Sequence, residues 1–252
     1  MKYSLIILFL LFNLFCFSQT KNKPANQGII RYERSMDFSK LVQQLSYMSK
    51  EEKDRAAMTS GRWGKWVEIY DLIFTPAYSY YTETSKELAQ SGRLYSDRKI
   101  LYAIYRDFDH QQIQEWHEML DKNYHLEDVM QKPKWKILNE IKEIQSFLCM
   151  KAETYDSIKQ QKIVAWFTDA IPVSAGPEQS FGLPGMILEL DVNDGTKIVT
   201  ATEVNLSGES GLPTFPKKKF KKINLQKYNL LIADFISSSI KGQRNPYWQL
   251  RY

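Results

Sequence analysis

Between Gly176 and Leu190 the chain reads Gly-Pro-Glu-Gln-Ser-Phe-Gly-Leu-Pro-Gly-Met-Ile-Leu-Glu-Leu, with three glycines and two prolines packed in just before an apolar run. Proline fixes its own φ and pushes the residue before it towards extended geometry. Glycine permits the positive φ that a tight turn needs. Leu183-Pro184-Gly185 is therefore expected as a rigid type II turn, with Pro184 second and Gly185 third. The turn launches Met186 to Val192 as a strand, in which Ile187 and Leu188 point to opposite faces. A stiff loop feeding a strand restricts the sheets that can surround it.

The lead-in to this stretch has an order of its own: Cys149-Met150-Lys151-Ala152, Ala165-Trp166-Phe167-Thr168, Ile171-Pro172, then Gly176-Pro177. With Gly182-Leu183-Pro184-Gly185-Met186-Ile187, the set resembles the signature of the GLPGLI family, exported bacterial proteins of Bacteroidetes type and unknown function. Methionine stands where that name has leucine, a swap of similar volume. The likeness runs from about Trp135 to Gly195 and is looser outside. It implies a family and an export route, but no catalytic residue, because that family has no assigned active site. The structural or interaction motif comprises Trp166, Pro172, Gly176, Pro177, Gly182, Leu183, Pro184, Gly185, Ile187 and Glu189.

Residues 1–18 read as a secretory signal peptide. Lys2 supplies a positive start, Leu5 to Leu14 is apolar except at Asn13, and Cys16 and Ser18 sit at −3 and −1 of a cleavage site before Gln19. The run is short for a membrane span. An uncleaved anchor and lipid attachment at Cys16 are the alternatives, although Phe15 is large for the residue preceding a lipoprotein cysteine. Cleavage leaves residues 19–252 as a single domain with no transmembrane segment, periplasmic, outer-membrane-associated or secreted. Cys149 is then the lone cysteine, unable to build a disulfide framework and set among apolar neighbours as a small hydrophobe.

Of the 252 residues 13% are aromatic, 15 tyrosines and 13 phenylalanines among them, which favours strands. A formal charge of +5 on a chain this long suits solubility and argues against a nucleic-acid partner. Strands are expected over Gly28 to Asp37, Val67 to Phe74 and Tyr78 to Thr84, with one or two more over Leu94 to Arg106. Ser39 to Ser49 has helical spacing, and the polar Lys50 to Ser60 reads as a solvated helix end or loop. The spacing of His110 to Val129 allows a helix or hairpins, and the family resemblance favours strands. Pro133 to Tyr155 and Ser157 to Thr168 read as long paired strands turning near Asp156. Asn193-Asp194-Gly195 between two apolar runs is a strong hairpin signal. Leu225, Tyr228, Leu231, Phe235 and Ile236 mark a C-terminal amphipathic helix, after which the tail from Pro246 is too short for a further domain. The expected class is mainly β (α+β), a curved antiparallel sheet or half-barrel-like meander with a few covering helices.

Candidate chemistry is sparse. His110, His117 and His125 lie seven and eight residues apart, whereas metal pairs usually sit four apart on a helix or two apart on a strand. They are expected at the surface or hydrogen-bonded, and His117 meets His125 only in a hairpin turning near residue 121. Tyr78, Tyr80 and Tyr81 form a tyrosine-rich strand surface or a platform for a sugar or base. Lys217 to Lys222, with five lysines in six positions, is a solvated connection or a contact for anionic envelope components. Gly208 to Gly211 lacks the strand-to-helix setting of a nucleophile elbow. Nothing resembles a phosphate-cradling loop, a paired-cysteine zinc site or a dinucleotide fingerprint, so no metal or cofactor is expected. Asp169, Glu178 and Glu189 flank the motif, and paired carboxylates can do acid–base work. Glu189 is either buried in its apolar strand with a raised pKa or turned to solvent.

These residues point to a non-enzymatic binding module of the cell envelope. A concave apolar face would accept a hydrophobic small molecule, a lipid or a partner segment, with the Gly176 to Gly185 loop shaping its mouth. The alternatives are a structural or assembly partner of outer-membrane machinery and, third, a hydrolase.

Overall fold

Strict alternation makes the first strand. In β1 (Gly28–Met36) every second residue is buried, so Ile30, Tyr32, Arg34 and Met36 share the inward face. Five strands follow it as an antiparallel meander: β2 (Trp66–Phe74), β3 (Tyr78–Glu83), β4 (Tyr102–Asp107), β5 (Gln112–Met119) and β6 (Lys122–Val129). A second meander, β7 (Lys136–Ile144), β8 (Phe147–Asp156), β9 (Gln161–Thr168), β10 (Met186–Val192) and β11 (Lys197–Asn205), ends by pairing β11 with the free side of β1. The short β12 (Lys221–Ile223) runs parallel to β6. The result is one open, curved twelve-stranded sheet with β12 and β7 at its edges. This computed structural model describes residues 26–61, 65–84, 101–207, 213–248 and 250–251. The expected leader with Cys16, the stretch 85–100 and the Gly208 to Gly211 loop lie outside the described residues.

Among the described residues three α-helices accompany the sheet, in keeping with the expected mainly β class: α1 (Phe38–Gln43), α2 (Lys50–Gly61) and α3 (Leu225–Lys241). Asp37 caps α1 through bonds from the Ser39 and Lys40 amides. α3 starts at Asn224, whose side chain accepts from the Lys227 amide, and its first amide is taken up by Asp128. Tyr228, Ile232 and Ile236 are the buried stripe of α3. They join one core with Tyr32, Tyr70, Leu72, Ile104, Leu126, Phe167 and Leu190. Each such side chain contributes roughly 1.5–3 kcal/mol on full burial, so α3 is held by its apolar stripe rather than by propensity.

Two expectations are corrected. Lys50 to Ser60 is a full helix, because Ser49 and Glu52 form a capping box: the Ser49 amide donates to Glu52 at 2.8 Å and the Glu52 amide to Ser49 Oγ at 3.2 Å. The long pairing over 133–168 is three strands instead of two. An additional turn falls at Gln145-Ser146, both with positive φ (49° and 64°), between the paired Ile144 and Phe147. That is a two-residue hairpin turn built without glycine. His110 to Val129 is the hairpin favoured above, turning at Leu120-Asp121 with φ of 52° and 57°. Its register sets His117 against Tyr124 and His125 against Trp116, so the two histidines face opposite sides of the sheet.

Candidate functional site

The loop from Asp169 to Gly185 is drawn into the sheet by its backbone. The Met186 amide donates to Ile171 O at 3.1 Å, the Ile187 amide to Ala175 O at 3.0 Å and Ser174 Oγ to Leu183 O at 2.6 Å. From outside the loop, Trp135 Nε1 reaches Phe181 O at 2.8 Å, and the fully buried Arg106 bonds the carbonyls of Gly176 and Glu178. Burial lowers the Arg106 guanidinium to about 10. The expected type II turn is not formed. Gly185 N bonds Leu183 O directly at 2.8 Å, a three-residue turn centred on Pro184. The same closure recurs from Val173 to Ile171 and from Ala175 to Val173. Gly185 is required because a Cβ there would run into the Thr168 carbonyl on β9.

This path delivers Glu178 to the inward face of the sheet with a left-handed backbone (φ 52°) and 7% exposure. Three cations converge on its carboxylate: Lys197 of β11 at 2.5 Å, Arg34 of β1 at 3.1 Å and Arg251 of the tail at 3.1 Å. Burial pushes the Glu178 carboxyl up, but Lys197, Arg251 and Arg34 outweigh it and hold the group well below the usual carboxylate range. Arg34 also bonds Glu68 of β2 at 2.9 Å. Burial brings the Lys197 amine down to about 7, with the neighbouring Arg34 acting in the same direction. Beside this cluster Glu115 accepts from Gln179 at 2.8 Å and pairs with His117 Nε2 at 2.6 Å. Burial opposes the Glu115 charge, and the bond to His117 lowers its carboxyl overall. The His117 ring stacks on Tyr228 of α3 with centroids 5.2 Å apart.

A cavity of about 420 Å³ opens next to the network, between the 131–134 segment, the β8–β9 turn, the start of α3 and the loop. Its walls are mixed. Tyr102, Tyr228, Ile163 and Leu190 supply apolar surface, while five lysines and arginines face two acids, Asp156 and Glu178. Of the aromatic strand residues, Tyr32, Tyr70, Tyr81, Phe74 and Phe167 are buried and fill the core themselves.

The motif residues divide between the two faces. Gly176, Pro177, Leu183, Gly185 and Ile187 are buried with the loop, whereas Pro172 and Pro184 are exposed and Gly182 packs on the Lys132 stem. Trp166 and Glu189 are paired neighbours on the outer face. There Lys142 Nζ lies 4.4 Å from the Trp166 ring centroid and donates to Glu189 at 2.5 Å. The three acids flanking the motif are not brought together: Asp169 is exposed, Glu189 faces outward and Glu178 is inside. Each histidine is hydrogen-bonded, His110 to Asp107, His117 to Glu115 and His125 to Gln114. No group of three or more metal-ligating side chains occurs among the described residues. Tyr78, Tyr80 and Tyr81 share no platform, since Tyr81 is in the core and Tyr80 lies under Phe215 on the other face. Lys217 to Lys219 are exposed and Lys221 and Lys222 lie in β12, a connection to α3. Sequence reasoning passed over Arg34, Glu68, Arg106, Glu115, Lys197 and Arg251. All but Arg251 fall on the inward parity of their strands, which was the available signal.

A family described as "Protein of unknown function (Porph_ging)" matches residues 153–189, from β8 through the loop to β10. The match is to a family of unknown function. It does not carry the GLPGLI name to which the motif pointed. No curated protein matches the chain. Among solved structures, PNGF-II in space group P21 is similar at 14% identity with a TM-score of 0.52, over 82% of this chain and 33% of that one. PNGF-II in space group C2 gives 13% identity and a TM-score of 0.50, over 82% and 32%. At such identities the likeness is one of fold, and this chain spans about a third of PNGF-II.

Proposed function

We propose that this chain is a binding protein of the cell envelope whose cavity holds a small polar ligand carrying a carboxylate or phosphate. The surplus of cations over acids in the cavity wall carries this reading. Two of them, Lys132 and Lys134, are exposed at the mouth with no acidic partner among the described residues. Tyr102 and Tyr228 give an apolar or aromatic part of the ligand something to lie against. Export rests on the apolar Leu5 to Leu14 run and the cleavage pattern before Gln19. Among the described residues no helix is long and apolar enough to cross a membrane.

Calorimetric titration of the mature chain with inorganic phosphate, citrate and a sugar phosphate tests the reading, with a neutral sugar and a fatty acid as controls. The anions should bind, more weakly as salt rises. Two exposed ion pairs at up to about 1 kcal/mol each make a Lys132→Ala/Lys134→Ala variant roughly tenfold weaker. Binding of the fatty acid with no response to any anion would return the site to a hydrophobic ligand. The assembly-partner reading draws on one observation, the exposed Ile137, Ile141 and Leu148 at the β7 edge. It would be favoured by cross-links to envelope proteins that an Ile141→Lys variant abolishes.

A further inference from the structure

Arg251 occupies a box that the rest of the protein builds without it. Its guanidinium carbon lies 4.0 Å from the Tyr102 ring centroid and 4.8 Å from that of Tyr70. One terminal nitrogen donates to the Tyr70 hydroxyl at 2.9 Å and lies 3.5 Å from Glu68, and the other donates to Glu178 at 3.1 Å. The two rings stand at 89° to one another around the cation, and two aromatic rings beside a planar cation with carboxylates at its edges favour guanidinium over ammonium.

The walls of the box stand on other supports. Tyr70 stacks on Tyr81 at 4.9 Å, Tyr81 meets Tyr102 edge-on at 6.3 Å, and both acids are held by Arg34. The occupant arrives from the tail, outside the sheet, on a segment secured by the buried Leu250 and by a bond from Lys159 Nζ to Arg251 O at 2.9 Å. Arg251 Nε is buried and has no acceptor among the described residues. Recognition is therefore confined to the two terminal nitrogens, the part of arginine that an amidinium shares.

We infer that Tyr70, Tyr102, Glu68 and Glu178 form a guanidinium- and amidinium-binding site, filled in this chain by its own Arg251 and open to the same group on another molecule when the tail withdraws. This goes beyond the anion reading, since the ligand has the opposite charge and Lys132 and Lys134 take no part.

Chemical rescue of the full mature chain tests it. Arg251→Ala should melt several degrees below the wild type. Millimolar acetamidinium or N-methylguanidinium should restore part of that loss in proportion to concentration, while the wild type gains nothing. Methylammonium and sodium chloride at equal concentration should restore none. Equal recovery with all four salts, or recovery with none, would overturn the assignment. If Arg251→Ala does not fold, Arg251→Gln, which keeps the stem against the rings, is compared in the same way. Adding Tyr102→Leu should abolish the rescue, and persistence of rescue in that background also overturns it. Anion titration of the wild type is read separately, so either proposal can fail while the other stands.

Discussion

Replacing Glu178 by Gln tests the central ion network with little change of shape. Gln keeps the side-chain length and can adopt the same left-handed backbone, but it removes the carboxylate that touches Lys197, Arg34 and Arg251 together. Removing one partner of a buried ion pair costs about 3–5 kcal/mol, because the opposite charge stays buried and uncompensated. Glu68 still serves Arg34 and Arg251, so the lower figure, about 3 kcal/mol, is expected. For a domain of this length that corresponds to a drop in Tm of roughly 6–12 °C.

The pH dependence makes the test sharper. The Lys197 amine has a folded value of about 7 against an ordinary 10.5. Between those values the unfolded chain holds the additional proton, so stability rises with pH. Without Glu178 the amine falls further, and this window extends below 7. The variant is therefore penalised more near pH 6 than at pH 9. Glu178 itself is held below its ordinary 4.5. Its contribution is present above that value and is lost as pH falls towards the folded one, which narrows the difference again in acid. Urea unfolding from pH 4 to 9 should show a maximum difference near pH 5–6.5. A difference under about 1 kcal/mol, or one that stays flat across the range, would refute the reasoning.

Gly185→Ala drives a Cβ into the Thr168 carbonyl, a backbone group that no rotamer change can move aside. Denaturant titration should show about 3 kcal/mol lost, while the exposed Pro184→Ala should cost within about 1 kcal/mol; equal effects would contradict the turn described. Cys149 is buried and its thiol is pushed up to about 11 by that burial. At pH 8 a disulfide reagent should react with the native chain on the order of a hundredfold more slowly than with the unfolded one. Comparable rates would mean the thiol is open.

The parts of the fold that were legible obey local rules. β1 and β2 announce themselves by alternation, the β10–β11 hairpin by Asp194-Gly195, and α3 by its spacing. Where sequence reading stopped short, a local signal was missing or unused. Gln145-Ser146 turns in left-handed geometry without glycine, so the sequence carries no mark of the break between β7 and β8. The Ser49-Glu52 box was present in the sequence and would have turned a polar stretch into α2. The site was harder to read, because the charges of the Glu178 network sit on five elements (β1, β2, the loop, β11 and the tail) separated by up to 217 residues, from Arg34 to Arg251. Only the sheet order, which sets β1 between β2 and β11, brings them together. Each inward charge is nonetheless a local anomaly. Arg34 follows Ile30 and Tyr32 on the buried parity, and Lys197 precedes Val199 and Ala201.

The glycines and prolines of the loop therefore have a meaning that their own geometry did not disclose. Three successive turns, each closing over three residues, shorten the path from Ile171 to Ala175 and again at Leu183. The absence of side chains at 176 and 185 lets the backbone press against Ile187 and Thr168. What this compaction achieves is the position of one acid. A buried ionic cluster is seldom worth more than apolar packing of the same volume, so stability alone does not account for it. Its effect is geometric. Glu178 ties the loop to β1, to β11 and to the tail, Arg106 of β4 holds the loop carbonyls, and Gln179 reaches Glu115 on β5. Both meanders are thereby fixed in register around the cavity. The family match over 153–189 spans the strand, loop and strand that carry Glu178 to that position. On this reasoning, the feature that most constrains the sequence and the residue that most organises the site are one device.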